Sequence, residues 1–289
     1  MRRDASTQAG YDRAIVESVA GLLFAREWHR RGPHLVGISG LQGSGKSTFA
    51  RQLAAVACER GVATVVLGLD DFYLGRRERA RLARDVHPLL MTRGVPGTHD
   101  IAMLDAALRA LSVATSNRPA RIPRFDKGRD TRVPPSRWRR IATPPRLILF
   151  EGWCVGVPAQ EPRALARPCN ALERIEDGDA HWRTWVNRQL AVDYARLWRS
   201  LDFVIQLDAP AFSIVARWRD EQERALRLRR APQAMSPSTL RRFLMHYERI
   251  SRHALRTLPA LADVRLVLDE SRRVRRIAQR TGSTKTAVP

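Results

Sequence analysis

The chain has 289 residues, long enough to bury one large α/β core, and a formal net charge of +22. Only Lys46, Lys127 and Lys285 among its 51 basic residues are lysines, and the arginines run from end to end. The charge therefore reads as a compositional bias and argues against a dedicated nucleic-acid surface, while Cys58, Cys154 and Cys169, with no Cys-x-x-Cys spacing, support neither a disulfide framework nor a zinc site and fit a reduced, cytoplasmic setting.

Tyr11 to Arg31 has the pattern of an amphipathic helix; Asp12, Arg13, Glu17, Arg26 and Glu27 interrupt it too often for a signal-peptide core or a membrane span. A short apolar strand over residues 34 to 38 then runs into Gly40-Leu41-Gln42-Gly43-Ser44-Gly45-Lys46-Ser47-Thr48. This is the pattern G-x-x-x-x-G-K-[ST], and a helix with Phe49, Leu53, Ala54 and Val56 along it is predicted over Ser47 to Cys58. Each residue type has a physical task. The glycines let backbone N–H groups close round phosphate oxygens, Lys46 reaches the β and γ phosphates, and the Ser47 hydroxyl ligates Mg²⁺. Gly40, Gln42, Gly43, Ser44, Gly45, Lys46, Ser47 and Thr48 are the candidate nucleotide-binding residues.

A second strand, Ala63 to Leu69, ends at Asp70-Asp71-Phe72-Tyr73. Residues 76 to 86 predict a basic helix, Arg93 to Thr98 a glycine- and proline-rich connection, and His99-Asp100 the start of a helix to about Ser112 with Ile101, Leu104, Leu108 and Leu111 on one face. From Arg118 to Pro145 the chain is rich in Pro, Arg and Asp with little periodicity, and loops of that length are uncommon unless functional. Within it, Arg124-Phe125-Asp126-Lys127 brackets an acid with two cations, suited to a carboxylate or phosphorylated acceptor; a solvated charge cluster is the alternative. A lysine there, in a chain that otherwise uses arginine, points to a site needing a compact charge.

Leu147 to Phe150 is a continuous apolar run ending in Glu151-Gly152-Trp153, a buried strand with an acid at its carboxyl end. Residues 180 to 200 predict a long helix whose stripe of Trp182, Trp185, Leu190, Tyr194, Leu197 and Trp198 belongs to the core. A strand from Phe203 to Leu207, helices near 211 to 229 and 237 to 255, a last strand from Val264 to Leu268 and a basic, flexible tail over 272–289 complete the order. Alternating strands and helices predict an α/β domain over residues 1–271, with a mostly parallel five-stranded sheet covered on both faces and an acceptor-binding insertion around 76–145.

Ligands of such sheets gather at the carboxyl ends of the strands, where Gly40, Asp70 and Glu151 all fall. Phosphoryl transfer needs neutralised charge, a held metal and a group that orients the attacking oxygen. Lys46, Ser47 and Glu151 supply the first two, with Ser47 and Glu151 toward the metal. Asp70 is the candidate base and Asp71 structural or metal-linked, the alternative being that both cap the following turn. Tyr73, Arg93, His99 and Asp100 are candidates to face the acceptor. Arg217 and Arg219 are candidate lid residues over the triphosphate; two positions apart, they do not share a helix face, so at most one performs that role.

Gly37 to Thr48, Leu69 to Tyr73, Arg93 to Asp100, Arg124 to Lys127, Glu151 to Trp153 and Trp218-Arg219-Asp220-Glu221-Gln222-Glu223 together resemble the plant-type D-glycerate 3-kinases and, more remotely, uridine kinase, pantothenate kinase and phosphoribulokinase. The resemblance implies a P-loop NTPase fold with strand order 2-3-1-4-5 and transfer of the ATP γ-phosphate, with Mg²⁺, to a small-molecule hydroxyl. D-glycerate is the leading acceptor. Alternatives are another small metabolite of pantothenate, nucleoside or sugar-phosphate type, or a nucleotide-dependent nucleic-acid-binding protein. By the same resemblance Asp70 is the base, Gly40 to Thr48 hold ATP, Glu151 belongs to the Mg²⁺ environment, and the segments around His99 and Lys127 belong to the acceptor. After Asp126-Lys127 the family pattern has a longer Ser- and Gly-containing loop, whereas this chain runs directly into Gly128-Arg129-Asp130-Thr131-Arg132.

Overall fold

The computed structural model describes residues 10–26, 32–228 and 235–280. Its central sheet has six strands: β1 (His34–Gly40), β2 (Thr64–Gly68), β3 (Leu147–Gly152), β4 (Phe203–Asp208), β5 (Val264–Leu268) and β6 (Val274–Gln279). They lie in the order β2-β3-β1-β4-β5-β6. The first five are parallel and follow the expected order 2-3-1-4-5.

The sixth strand corrects the expectation of a five-stranded sheet followed by a tail from residue 272. β6 pairs antiparallel with β5, laying Val274 and Ile277 on the core and leaving Arg275 and Arg276 exposed. A register shift between Val274 and Arg276 breaks the two-residue alternation, so the apolar spacing carries no strand signature. Residues 281–289 of the expected tail lie outside the described residues.

The sheet is buried on both faces because its strands are apolar at successive positions. Leu147 and Leu149 point to one side, Ile148 and Phe150 to the other. The first side is covered by α1 (Arg13–Phe24), α2 (Lys46–Glu59) and α8 (Ile214–Leu228), through Val19, Leu23, Phe49, Leu53 and Trp218. The amino-terminal helix begins on an Asp12 cap, whose carboxylate accepts from Ala14 N at 2.8 Å. Residues 27–31, at the end of the expected helix, lie outside the described residues.

The second side is covered by α4 (Ile101–Ser112), by a long helical segment and by part of α9 (Pro237–Leu261). That segment runs through α6 (His181–Gln189), a π-turn (Leu190–Tyr194) and α7 (Ala195–Arg199), with Trp182, Tyr194 and Trp198 in the core as its stripe predicts. Between β2 and β3 lie α3 (Arg76–Asp85), α4 and two short antiparallel ribbons, Ala120–Ile122 with Arg139–Ile141 and Phe125–Asp126 with Thr131–Arg132. The aperiodic stretch is thus folded, and its second ribbon leans over the carboxyl end of the sheet.

A buried ion pair anchors the far side. Glu173, on α5 (Ala171–Glu176), accepts two bonds from Arg249 of α9 at 2.7 and 2.6 Å. The same guanidinium donates to the Ala164 and Arg167 carbonyls at 2.9 and 2.6 Å, so its donors are shared between a carboxylate and the backbone. Among the described residues no helix is long and apolar enough to cross a membrane.

Candidate active site

The turn between β1 and α2 is held open by its backbone. Gly43 has φ +81°, and a Cβ there would stand 2.7 Å from Trp218 Cβ, so only glycine fits. The loop carbonyls are drawn outward: Tyr11 Oη donates to Ser44 O at 2.6 Å and Arg272 Nε to Gly43 O at 2.7 Å. The first backbone bonds of α2 run from Thr48 N and Phe49 N to Gly45 O, at 3.0 and 2.9 Å, so the α2 N–H groups ahead of Thr48 are available to an anion. Buried polar atoms of the loop, Gln42 Nε2 and Oε1 and Ser44 Oγ, have no partner among the described residues. Among the described residues Lys46 Nζ makes one hydrogen bond, a long 3.5 Å approach to Leu41 O. Burial depresses its ammonium below the ordinary range, opposed by the nearby Glu151 and Asp70 carboxylates. A glycine with positive φ, unpartnered polar atoms and an undercompensated cation together fit a phosphate chain.

Glu151 reaches this loop because β3 lies beside β1, with Ile38 opposite Glu151. Ser47 Oγ donates to Glu151 Oε1 at 2.6 Å. Burial raises the Glu151 carboxyl, with Lys46 opposing. The two oxygen donors suit a hard divalent cation whose remaining ligands are phosphate and water. No cluster of three or more acidic, His or Cys ligands occurs among the described residues.

β2 ends in a 3-10 turn, Leu69–Phe72, that turns Asp70 and Asp71 to different partners. Asp70 accepts from Tyr73 Oη at 2.6 Å and from Lys127 Nζ at 2.5 Å. Burial alone would raise its carboxyl, but the Lys127 charge and hydrogen bond, with Tyr73 and Lys46, hold it well below the usual carboxylate range. Lys127 is correspondingly raised by Asp70. Asp71 instead accepts from Phe125 N at 3.2 Å, tying the ribbon to the turn, and burial raises its carboxyl.

Gln42, Lys46, Asp70, Tyr73, Arg93, Lys127 and Arg219 line one cleft of about 420 Å³. Other sequence candidates stand behind its wall. His99 is buried, stacks on Tyr73 at 4.9 Å between ring centroids and places Nδ1 2.6 Å from Tyr194 Oη; burial pushes its pKa down to about 4. Asp100 caps α4 through Met103 N at 2.9 Å and meets Arg132 at 3.3 Å. Asp126 accepts from Gly128 N and Arg129 N at 3.0 and 3.1 Å, closing the ribbon's turn. Arg124 is exposed, because Phe125 takes the inward position of a two-residue strand.

The lid arginines separate as their spacing requires. Arg219 faces the cleft and is held by Gln222 Oε1 at 2.8 Å and Glu223 at 2.7 Å, whereas Arg217 turns to Glu270, donating to its carboxylate at 3.0 Å and its carbonyl at 2.7 Å. Arg217 therefore does not join the phosphate site in this arrangement.

Two cleft residues, Arg79 and Tyr247, gave no sequence signal. Arg79 is one arginine of many on α3, yet it is the one that is buried. Trp153 and Tyr247 form an aromatic wall, edge to face at 4.9 Å. Tyr247 Oη donates to Arg93 O at 2.7 Å. A Cβ on Gly94, whose φ is +115°, would fall 2.0 Å from that hydroxyl oxygen, so the neighbouring Arg93 is aimed by a contact only glycine permits.

No family model matches the chain. The uncharacterized kinase mug58 of Schizosaccharomyces pombe is 33% identical over 247 residues, covering 81% of this chain and 85% of that protein. The chloroplastic D-glycerate 3-kinase of Arabidopsis thaliana is 31% identical over 206 residues, 68% of this chain and 42% of that protein. The solved D-glycerate 3-kinase from Cryptococcus neoformans var. grubii shares the fold with a TM-score of 0.75 at 22% identity, across 92% of this chain and 99% of that one. With the phosphate loop, the two acids and the sheet order placed as described, and a relative matched over most of its length, the chain belongs to the family of P-loop kinases that includes the plant-type D-glycerate 3-kinases.

Proposed function

We propose that the protein transfers the γ-phosphate of ATP to a hydroxyl of a small hydroxy acid, with D-glycerate, which two relatives carry in their names, as the acceptor. The observation that supports this most is the convergence of Lys46, Ser47, Glu151 and Asp70 on one rim of the sheet, beside the cations Arg93 and Lys127.

Asp70 is ionised at neutral pH and aimed by Tyr73, so it can take the proton of an attacking hydroxyl. Lys46 and Arg219 face the same space and neutralise charge on the transferred group. Ser47 and Glu151 would hold Mg²⁺, which when bound neutralises the phosphate oxygens. Trp153, Phe243 and Tyr247 exclude water from one wall, favouring an alcohol over hydrolysis.

The test is ADP release from Mg²⁺–ATP with D-glycerate, other hydroxy acids, pantothenate, nucleosides and sugar phosphates in parallel. D-glycerate is expected to give the highest kcat/KM. Equal stimulation by a nucleoside or pantothenate would replace the acceptor, and stimulation by none would overturn the proposal.

A further inference from the structure

At the acceptor end of the cleft lies an ion cluster that the transfer chemistry above does not use. Arg79 is only 2% exposed. Its Nη2 donates to Asp130 Oδ2 at 2.5 Å and its Nη1 to Met91 O at 2.9 Å, while its buried Nε has no partner among the described residues. Arg93 grips the other oxygen, Nη1 to Asp130 Oδ1 at 2.5 Å, and also donates to Lys127 O at 3.1 Å. All three residues line the same cleft as Lys46 and Asp70.

Two guanidiniums closing on both oxygens of one carboxylate is the geometry by which proteins bind carboxylate ligands. Here the chain supplies the carboxylate itself. Asp130 sits in the turn of the Phe125–Arg132 ribbon with φ +51°, a conformation that costs a non-glycine residue free energy, and its side chain is 30% exposed. Arg79 is deep and fixed, whereas Arg93 and Asp130 are part-exposed, at 26% and 30%, and Asp130 alone of the three has a positive φ.

We propose that Arg79 and Arg93 are the clamp for the acceptor's carboxylate, and that Asp130 is a resident competitor which the acceptor displaces. The inference rests on the hydroxy-acid reading above and names the group by which the acid is held. A buried guanidinium left unpaired is strongly destabilising, so Asp130 keeps Arg79 compensated until an external anion arrives. The same turn carries Lys127, whose ammonium holds Asp70. Lifting the turn empties the clamp and frees one oxygen of the base together. A neutral alcohol has no charge with which to replace Asp130, so the displacement selects acids over glycerol.

Asp130→Asn tests this. The KM for D-glycerate is expected to fall about tenfold while that for ATP stays within about twofold. D-lactate carries the carboxylate but lacks the terminal hydroxyl, so it reads the clamp without turnover. It should raise the melting temperature of Asp130→Asn more than that of the wild type, and leave Arg93→Gln unmoved. Arg93→Gln should also raise the KM for D-glycerate by about a hundredfold and erase the preference over glycerol. A raised KM for D-glycerate in Asp130→Asn, or equal D-lactate shifts in wild type and both variants, would make Asp130 a fixed wall and overturn the proposal. Should the wild type phosphorylate no hydroxy acid, the substrate reading fails by itself. The D-lactate shifts then decide the clamp alone: an ordered response of Asp130→Asn, wild type, Arg93→Gln supports it, and any other order refutes it.

Discussion

Replacing Asp70 with Asn removes a charge and the proton acceptor while keeping the shape. The amide oxygen can still face the Lys127 ammonium and the amide nitrogen can donate to Tyr73 Oη, so the contacts now at 2.5 and 2.6 Å have replacements and the fold is expected to stand. Loss of a positioned general base costs about 10² to 10⁴ in kcat, or roughly 3 to 5 kcal/mol of barrier. ATP affinity, set by the Gly40 to Thr48 loop, should change by less than about threefold. The pH dependence adds a second reading. Asp70 is held well below its ordinary value, so its folded-state stabilisation is complete above the unfolded value of 3.8 and is lost only as pH falls through the lower folded one. As base it stays available from about pH 5 to about pH 9 and contributes no acid limb to kcat/KM there. Asp71, whose carboxyl burial raises, is the competing candidate for the base. Steady-state kinetics of wild type, Asp70→Asn and Asp71→Asn across that range separate the two. Retention of more than about a tenth of kcat by Asp70→Asn, or the large loss falling on Asp71→Asn, refutes the assignment.

Arg219→Gln should lower kcat on the order of 10³-fold, whereas Arg217→Gln, bound to Glu270 on the other face, should stay within about twofold; initial rates at saturating ATP compare them. Arg272→Met removes the donor to Gly43 O at 2.7 Å and should raise the KM for ATP several-fold, on the order of 1 kcal/mol, without touching the acceptor KM. Glu173→Gln leaves Arg249 buried without its counter-charge and should cost about 3 to 5 kcal/mol in urea unfolding, with Arg249→Met in the same chain recovering part of it. Burial alone would raise Glu173, but the Arg249 hydrogen bonds outweigh it and hold it low. The pair's contribution is therefore full above the unfolded value of 4.5, and the gap between wild type and variant should close as pH falls below that value through the folded one.

The residues that sequence reading located best are those whose chemistry needs both a type and a position. The phosphate loop announces itself by spacing, and Asp70 and Glu151 by standing at the ends of apolar runs that can only be buried strands. Lys127 was marked by rarity, and it does reach Asp70. Proximity within a motif was a weaker guide. His99 and Asp100 share a segment with Arg93, yet packing turns them behind Tyr73 and onto the α4 cap. Asp126 folds the ribbon, and the acid that Arg79 and Arg93 grip is Asp130, four residues on. Arg79 was hidden by its own kind, since burial of one arginine among several on a helix depends on what packs over it. β6 was hidden by its register shift.

Arg272 lies 229 positions beyond the glycine whose carbonyl it holds, and its guanidinium rests 5.1 Å from the Trp218 ring centre that also walls that glycine. The turn is therefore made long before the arginine that braces it. A nascent chain halted after β4 would own the full loop motif and still lack this brace, so its hold on a nucleotide should be several-fold weaker than that of the chain carrying Arg272.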